Sequence, residues 1–361
     1  MRSIVKLLAL GLAAAFATVA SADVTVTSWG GAYTNSQQKA YGQPFEKKTG
    51  IKVNWENYNG GLAEVRAQVE SKNVIWDIVD VLPHEAIVGC DEGLFHELPI
   101  DEFVPAPDGT SMRDDMIVPL PNDCSVPQIF WSYAVFYDKT KFPGKKPKTM
   151  KDFFDLKKFP GKRGINSWAN ANIEMALVAD GVKPKDVYKV AGTKEGLDRA
   201  FKKLDTIKDH VVFWSAGSQP LELVKSGEVI MATAYNGRSG AAILTENQPF
   251  EIMWDGQVLE QEYMAMLNGT KKYKEALEFL KFASAPQQQA GQAKYINYGP
   301  MRKSGLTIIS QNEPFFHNGK NIMPHMPNTK KKLKISVVAD PIWWADNGTE
   351  IAERFTAWMA K

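Results

Sequence analysis

An alternation of short apolar strands with helical segments at the start of the chain restricts the fold more than any other feature. Val24-Thr-Val-Thr-Ser-Trp29 alternates like a strand and breaks at Gly30-Gly31; Asn35 to Thr49 then fits a helix that Gly50 stops and Pro44 interrupts. Ile51 to Trp55 reads as a second strand, Leu62 to Lys72 as a second helix, and Ile75 to Val81 as a third strand carrying Trp76, Asp77 and Asp80. A β-α-β-α-β order predicts an α/β fold with a parallel sheet and right-handed crossovers.

The segment before this pattern is set apart from the fold. Residues 1–22 carry Arg2 and Lys6, an apolar core from Leu7 to Ala20, and Ala20-Ser21-Ala22 as a small-residue cleavage site, the layout of a secretory signal peptide. A membrane anchor is the competing reading, but the apolar run is short and ends in small residues. The mature chain is expected to begin near Asp23 and to be soluble and periplasmic. Export places Cys90 and Cys124 where disulfides persist, and the two are expected to be bridged. The bridge would close a loop of about 34 residues, a stabilisation of roughly 3–4 kcal/mol in the chain-entropy model.

The remaining length, about 340 residues, exceeds what one hydrophobic core serves and predicts two lobes. Pro83 starts a helix running to Cys90, and 98–123 reads as irregular surface chain. Val126 to Tyr137 is too apolar for an edge strand and is expected to cross from one lobe to the other. A second α/β unit follows, with helices near 149–156, 172–180 and 194–208, and strands near 163–168 and at Val211–Trp214. Ser218 is placed as the N-cap of a helix ending at Gly227. Residues 271–290 form an amphipathic helical region, Tyr295 to Met301 a loop, and 340–361 a closing helix. Three pieces lie between Val229 and Met266: an apolar strand ending in Tyr235-Asn-Gly-Arg238, the segment Phe250–Gly256, and Leu259–Met266. In the last, Glu260 and Glu262 flank one residue, which in a strand puts both carboxylates on one face. The lobes are expected to comprise 23–133 with 259–305, and 134–258 with 306–361. Tyr235 then belongs to the second lobe while Glu260 and Glu262 lie on the strand returning to the first, so that they meet as the cleft closes.

Charge and motifs exclude several functions. Without Arg2 and Lys6 the 43 basic residues become 41 against 41 acidic ones, which argues against nucleic-acid binding. The run Lys330-Lys331-Lys332 is read as a solvated face. His84-Glu85 and His96-Glu97 begin a zinc-protease pattern, but Val88 and Ile100 stand where a second His is needed. There is no Gly-x-Ser-x-Gly elbow, no phosphate loop and no histidine pair at metal-ligand spacing, so neither an enzyme nor a metal or other cofactor is expected. What remains is a set of aromatic residues at strand ends with acidic groups: Trp29, Tyr33, Trp131, Trp168, Tyr235, Tyr298 and Trp344, with Asp80, Glu260 and Glu262. Aromatic faces attract ammonium and carboxylates bind it by charge-assisted hydrogen bonds, a chemistry suited to an organic cation. Taken singly, each ring serves a core as readily as a site. Trp55, Trp76, Trp254 and Trp358 sit inside predicted elements and are assigned to packing.

Across its mature length the chain resembles the spermidine/putrescine-binding family of periplasmic solute-binding proteins of ABC importers. The resemblance rests on Ser28-Trp-Gly-Gly-Ala-Tyr33, Trp76-Asp-Ile-Val-Asp-Val81, Gly89-Cys-Asp-Glu-Gly-Leu94, Phe153-Phe-Asp-Leu-Lys-Lys-Phe-Pro-Gly-Lys-Arg163, Ala234-Tyr-Asn-Gly-Arg238, Trp254-Asp-Gly-Gln257 and Tyr298-Gly-Pro300. It implies a two-lobe fold (type II-like) hinged on crossing strands, a monomer that closes on a ligand and presents it to a membrane permease. It further implies that Trp29 and Tyr33 are an aromatic pair on the ligand, that Tyr235 and Tyr298 add rings, and that Glu262 holds an amine. Where polyamine binders place acids near 168–171, this chain has Trp168-Ala-Asn-Ala171, and Glu260 stands where they carry an aromatic. A small cationic amine of the putrescine or spermidine type is the expected ligand. An amino acid derivative or another organic amine is the alternative, and a secreted hydrolase the reading from another class.

Overall fold

The computed structural model describes residues 23–361, and the expected signal peptide, 1–22, lies outside the described residues. One ten-stranded sheet runs through them. Its strands are β1 (Asp23–Ser28), β2 (Lys52–Asn57), β3 (Ile78–Val81), β4 (Ser125–Asp138), β5 (Arg163–Asn166), β6 (Val211–Trp214), β7 (Met231–Tyr235), β8 (Phe250–Met266), β9 (Gly299–Pro300) and β10 (Val337–Val338). Their order is β2-β1-β3-β8-β4-β7-β5-β6, with β9 beside β4 and β10 beside β8. The triplets β2-β1-β3 and β7-β5-β6 are each parallel, as the strand-helix alternation requires.

Two long antiparallel strands, β4 and β8, join the triplets. β3 pairs with the end of β8, from Tyr263 to Met266, while β7 pairs with Tyr133 to Phe136 of β4. Neighbours on both edges bury β4 almost throughout, which is why it reads as an unbroken apolar run. The sequence separates Phe250–Gly256 from Leu259–Met266, whereas the structure makes them one strand of 17 residues. The break is a bulge: Tyr133 lies opposite Val258 but Val135 opposite Met253, and Gly256 adopts φ 66°, which a residue lacking Cβ takes without steric cost. The C-terminal segment fastens this bulge, since Gly256 N donates to Ile335 O at 3.0 Å and Gln257 Nε2 to Pro327 O at 2.7 Å.

Several local expectations shift. The first helix begins at Gly31, not Asn35, because Gly30 and Gly31 take positive φ and Gly30 N donates to Thr34 Oγ1 at 2.8 Å. It passes through a π turn, Gln38–Gly42, before Pro44, whose missing N–H would interrupt an α ladder there. Ser218 makes no side-chain cap; Gln219 Oε1 instead accepts the N–H groups of Ser215 and Ala216. The region 271–290 splits into Tyr273–Ala283 and a second helix opening at Pro286. Residues 98–123 contain a 3-10 turn and one short helix, Met112–Asp115.

Apolar packing divides accordingly. One set of clusters gathers β1, β3, the start of β4 and the end of β8; another gathers β5, β6, β7 and the closing helix Pro341–Ala360. Cys90 and Cys124 are bonded, tying the helix Pro83–Asp91 to the start of β4. Between the sets lies a small cluster of Tyr33, Ile129 and Ile296 with Trp29, Trp131 and Tyr298 against it.

Candidate ligand site

Strand register brings the acidic residues and several rings to one face of the sheet. Asp80 is paired with Met264, Ile129 with Glu262, Trp131 with Glu260, and Tyr133 with both Val258 and Tyr235. Residues directly opposed on antiparallel strands project to the same side, and alternate residues along one strand share a face. Asp80, Glu262, Glu260, Trp131, Tyr133 and Tyr235 therefore line one surface, which confirms the shared face expected for the two glutamates.

Glu262 is the centre of the first group. It is 4 % exposed, and its carboxylate accepts the indole N–H of Trp29 at 2.5 Å on one oxygen and that of Trp131 at 3.2 Å on the other. Burial, followed by the nearby Asp80 carboxyl, holds its pKa well above the usual carboxylate range, against the two indole bonds. Asp80 is fully buried; Oδ2 accepts from Gln37 Nε2 at 2.7 Å, while Oδ1 has no partner. Its pKa is pushed by burial up to about 7. Tyr33 packs edge-on to Tyr298 at 5.9 Å, and its buried hydroxyl is also without a partner. Two buried carboxyls with no cation beside them are costly to ionise.

The second group surrounds Tyr235 at the end of β7. Its ring meets Trp131 at 5.4 Å, Tyr133 at 5.3 Å and Trp214 at 5.7 Å. Trp168 joins through Trp214, edge-on at 5.2 Å, and donates its indole N–H to Tyr133 Oη at 3.1 Å. Glu260 is half-buried, and burial and then the Glu174 charge push its pKa up to about 8. Trp344 stands apart from Glu262 and donates its N–H to Glu174 Oε1 at 2.9 Å. The structure thus places Trp29, Tyr33, Asp80, Trp131 and Tyr298 around Glu262. It places Trp168, Tyr235 and Trp344 towards Glu260 and Glu174. Of the rings assigned to packing, Trp55 lies against Tyr41 and Phe279, Trp76 against Tyr58, and Trp358 is buried beside Phe355. Trp254 is covered by the Lys332 ammonium.

Sequence reasoning passed over Arg238. It lies in the first turn of the helix Asn236–Leu244, which starts directly at the end of β7 with no side-chain cap. The uncapped N–H groups and the helix dipole make that end favourable to an anion. Arg238 is exposed and forms no ion pair among the described residues, and its charge acts on both Tyr235 and Tyr298. Gly217 leaves room for it, since a Cβ there would lie 3.0 Å from Arg238 Nε and 2.9 Å from the Tyr235 ring. The available signal was positional: a cation three residues past a strand end, inside Ala234-Tyr-Asn-Gly-Arg238. Tyr298 packs in one cluster with Trp29 and Trp131, the two donors to Glu262, and its ring lies against Gly237, the neighbour of Arg238; both charges act on it.

Residues 40–318 match the sequence profile of the bacterial extracellular solute-binding proteins. The chain belongs to that family. Such solute-binding proteins are non-enzymatic transport components that bind a small molecule and deliver it to a membrane permease. This solute-binding protein is 38% identical over 363 residues to the gamma-aminobutyric acid-binding protein of Pseudomonas aeruginosa, covering 99% of this chain and 96% of that protein. The solved structure of the Atu4243–GABA receptor is 30% identical, with a TM-score of 0.77, and covers 94% of this chain and 98% of that one. An ABC transporter substrate-binding protein from Bradyrhizobium japonicum is 29% identical, with a TM-score of 0.80, over 94% and 99% of the two chains. The fold here is the mixed α/β, two-lobe architecture of these periplasmic binding proteins. A spermidine/putrescine substrate-binding protein of Streptococcus pneumoniae shares it at 16% identity, a likeness that extends to the fold alone.

Proposed function

We propose that this solute-binding protein is a periplasmic receptor of an ABC importer for gamma-aminobutyric acid or a similar amino acid whose amine and carboxylate are well separated. One observation carries the reading: the Tyr298 ring packs with Trp29 and Trp131, whose indoles hold the buried Glu262 carboxyl, and lies against Gly237 at the helix start that carries the unpaired guanidinium of Arg238. A ligand ammonium on Glu262, with Asp80 behind it, and a ligand carboxylate on Arg238 and the first-turn N–H groups would satisfy both ends. Trp29, Tyr33, Trp131, Tyr235 and Tyr298 would enclose the methylene chain between them. A polyamine places a cation at both ends and leaves Arg238 facing a like charge, which is why the amino acid class replaces it as the first reading. The relatives described as binding gamma-aminobutyric acid support the same choice.

The lobes are proposed as 23–133 with 259–305, and 134–258 with 306–361, hinged at β4 and β8. The change of core cluster along β8 between Val258 and Leu259 supports this, and one smaller cluster, with Leu244, Ala290 and Ile309, spans the boundary. A ligand that touches Glu262 and Arg238 together does so only in the closed form, and that differential contact drives closure. A thermal-shift screen tests the reading, because a ligand that binds only the folded state raises the melting temperature. 4-Aminobutanoate is expected to give a large shift, with no turnover, and 1,4-diaminobutane a smaller one; the reverse order would return the polyamine reading.

A further inference from the structure

A second acidic position on the same sheet face has no function in a site for a simple zwitterion. Glu260 lies two residues from Glu262 along β8, about 6.6 Å at the usual rise of a strand, and is half-buried with no hydrogen bond or ion pair among the described residues. The helix Asn172–Ala179 packs on β8 and carries Glu174, which is 1 % exposed. Glu174 Oε1 accepts from Tyr188 Oη at 2.9 Å and from Trp344 Nε1 at 2.9 Å, while Oε2 is buried without any partner. Tyr188 and Trp344, the partners of Glu174, pack on the same apolar cluster as Tyr235 and Tyr133, and Tyr133 shares a sheet face with Glu260, two residues from its register partner Trp131; the charges of both carboxyls act on Tyr188.

Carboxyl oxygens that lack partners and sit among aromatic side chains suit an organic ammonium. We infer that Glu260 and Glu174 form a second cation subsite, so that the receptor takes amino acids carrying an additional ammonium on the chain, the diamino monocarboxylates. This rests on the zwitterion reading of the first subsite. In the bound state Glu262 holds one ammonium, Arg238 the carboxylate, and Glu260 the second ammonium, with Glu174 adding negative charge behind it.

Titration calorimetry of the mature protein with 4-aminobutanoate, 2,4-diaminobutanoate, ornithine and 1,4-diaminobutane tests the assignment. The wild type is expected to bind one of the diamino acids at least as tightly as 4-aminobutanoate. Glu260→Gln is expected to raise the ratio of the diamino acid dissociation constant to that of 4-aminobutanoate on the order of tenfold, the scale of one charged hydrogen bond. Glu174→Gln should move the ratio in the same direction, and because it is buried it is paired with a melting curve to show that it folds. Binding of 4-aminobutanoate without either diamino acid, or a ratio unmoved by both variants, overturns the second subsite and leaves the zwitterion reading standing. Binding of 1,4-diaminobutane alone, sensitive to Glu260 and Glu262, overturns the zwitterion reading and the diamino acid class with it. Failure of all four ligands to bind overturns both.

Discussion

Asn236 and Asn297 exchange hydrogen bonds: the Nδ2 of Asn236 donates to the carbonyl of Asn297 at 2.7 Å, and the Nδ2 of Asn297 donates back to the carbonyl of Asn236 at 3.0 Å. The pair fixes the loop that carries Tyr298 to the helix start that carries Arg238. Asn236 Oδ1 also accepts Ser132 N on β4 at 2.8 Å, so the contact is anchored to a crossing strand. Asn236→Ala leaves two buried backbone groups unpaired and is expected to destabilise the fold by about 2–6 kcal/mol, at about 1–3 kcal/mol for each orphaned group. Denaturant unfolding checks this, and a loss below about 0.5 kcal/mol would show that the amide pair is replaceable by water.

The Cys90–Cys124 bridge makes a separate prediction, since it shortens the unfolded ensemble rather than touching the ligand. Reduction, or Cys90→Ser with Cys124→Ser, should lower stability by about 3–4 kcal/mol, the scale for a loop of this length. The affinity for 4-aminobutanoate, measured where the protein is still folded, should stay within about twofold, because a contact-free change leaves the binding free energy nearly untouched. A large affinity loss in the folded, reduced protein would mean that the bridge also sets the position of the first subsite.

Acidic groups in the site set the pH dependence. Asp80 is pushed up to about 7 and Glu260 up to about 8, while the unfolded chain releases these protons near pH 4. Between those limits the folded state binds more protons than the unfolded state, so stability falls as pH rises through the window. The melting temperature of the ligand-free protein is expected to fall from about pH 5 to about pH 8, and Asp80→Asn with Glu260→Gln to flatten that slope. A ligand ammonium reverses the penalty, so the shift that 4-aminobutanoate causes should grow over the same interval. Calorimetric melts at constant ionic strength measure both slopes; a shift that shrinks with rising pH would contradict ammonium binding at these carboxyls.

Gly237 offers a test of the loop that carries Tyr298. In most helices an alanine is preferred to glycine, by up to about 1 kcal/mol. Here a Cβ would lie 2.5 Å from the Tyr298 ring, so Gly237→Ala must displace that ring. The variant is expected to weaken 4-aminobutanoate by roughly tenfold, about the free energy of one ring contact. Titration calorimetry reads the change, and an unaltered affinity would remove Tyr298 from the wall of the site.

Much of this arrangement was legible in the chain itself, for identifiable reasons. The β-α-β-α-β opening, the crossing strand at Val126–Tyr137 and the shared face of Glu260 and Glu262 all follow from periodicity, which a buried or half-buried strand must obey. The continuity of β8 was hidden because Asp255-Gly256 has the composition of a turn, while three hydrogen bonds donated by Gly256 and Gln257 to the C-terminal segment stabilise it as a bulge. Arg238 was hidden because an arginine beside Asn-Gly has the composition of an ordinary surface loop; its place at an uncapped helix start beside Tyr298 appears only in the fold. Glu174 was not singled out in the sequence, because its nearness to Glu260 depends on the packing of its helix on β8.

Binding of 4-aminobutanoate to the wild type, Glu262→Gln and Arg238→Gln, followed by titration calorimetry, tests the central claim most directly. The account predicts saturable binding to the wild type and a loss of about 1.5–3 kcal/mol from each single variant, the scale of one charged hydrogen bond. It also predicts that 1-aminobutane, which lacks the carboxylate, responds to Glu262→Gln but not to Arg238→Gln. Unchanged affinity for 4-aminobutanoate in Arg238→Gln, with the loss confined to Glu262→Gln, would contradict recognition of both ends of the ligand.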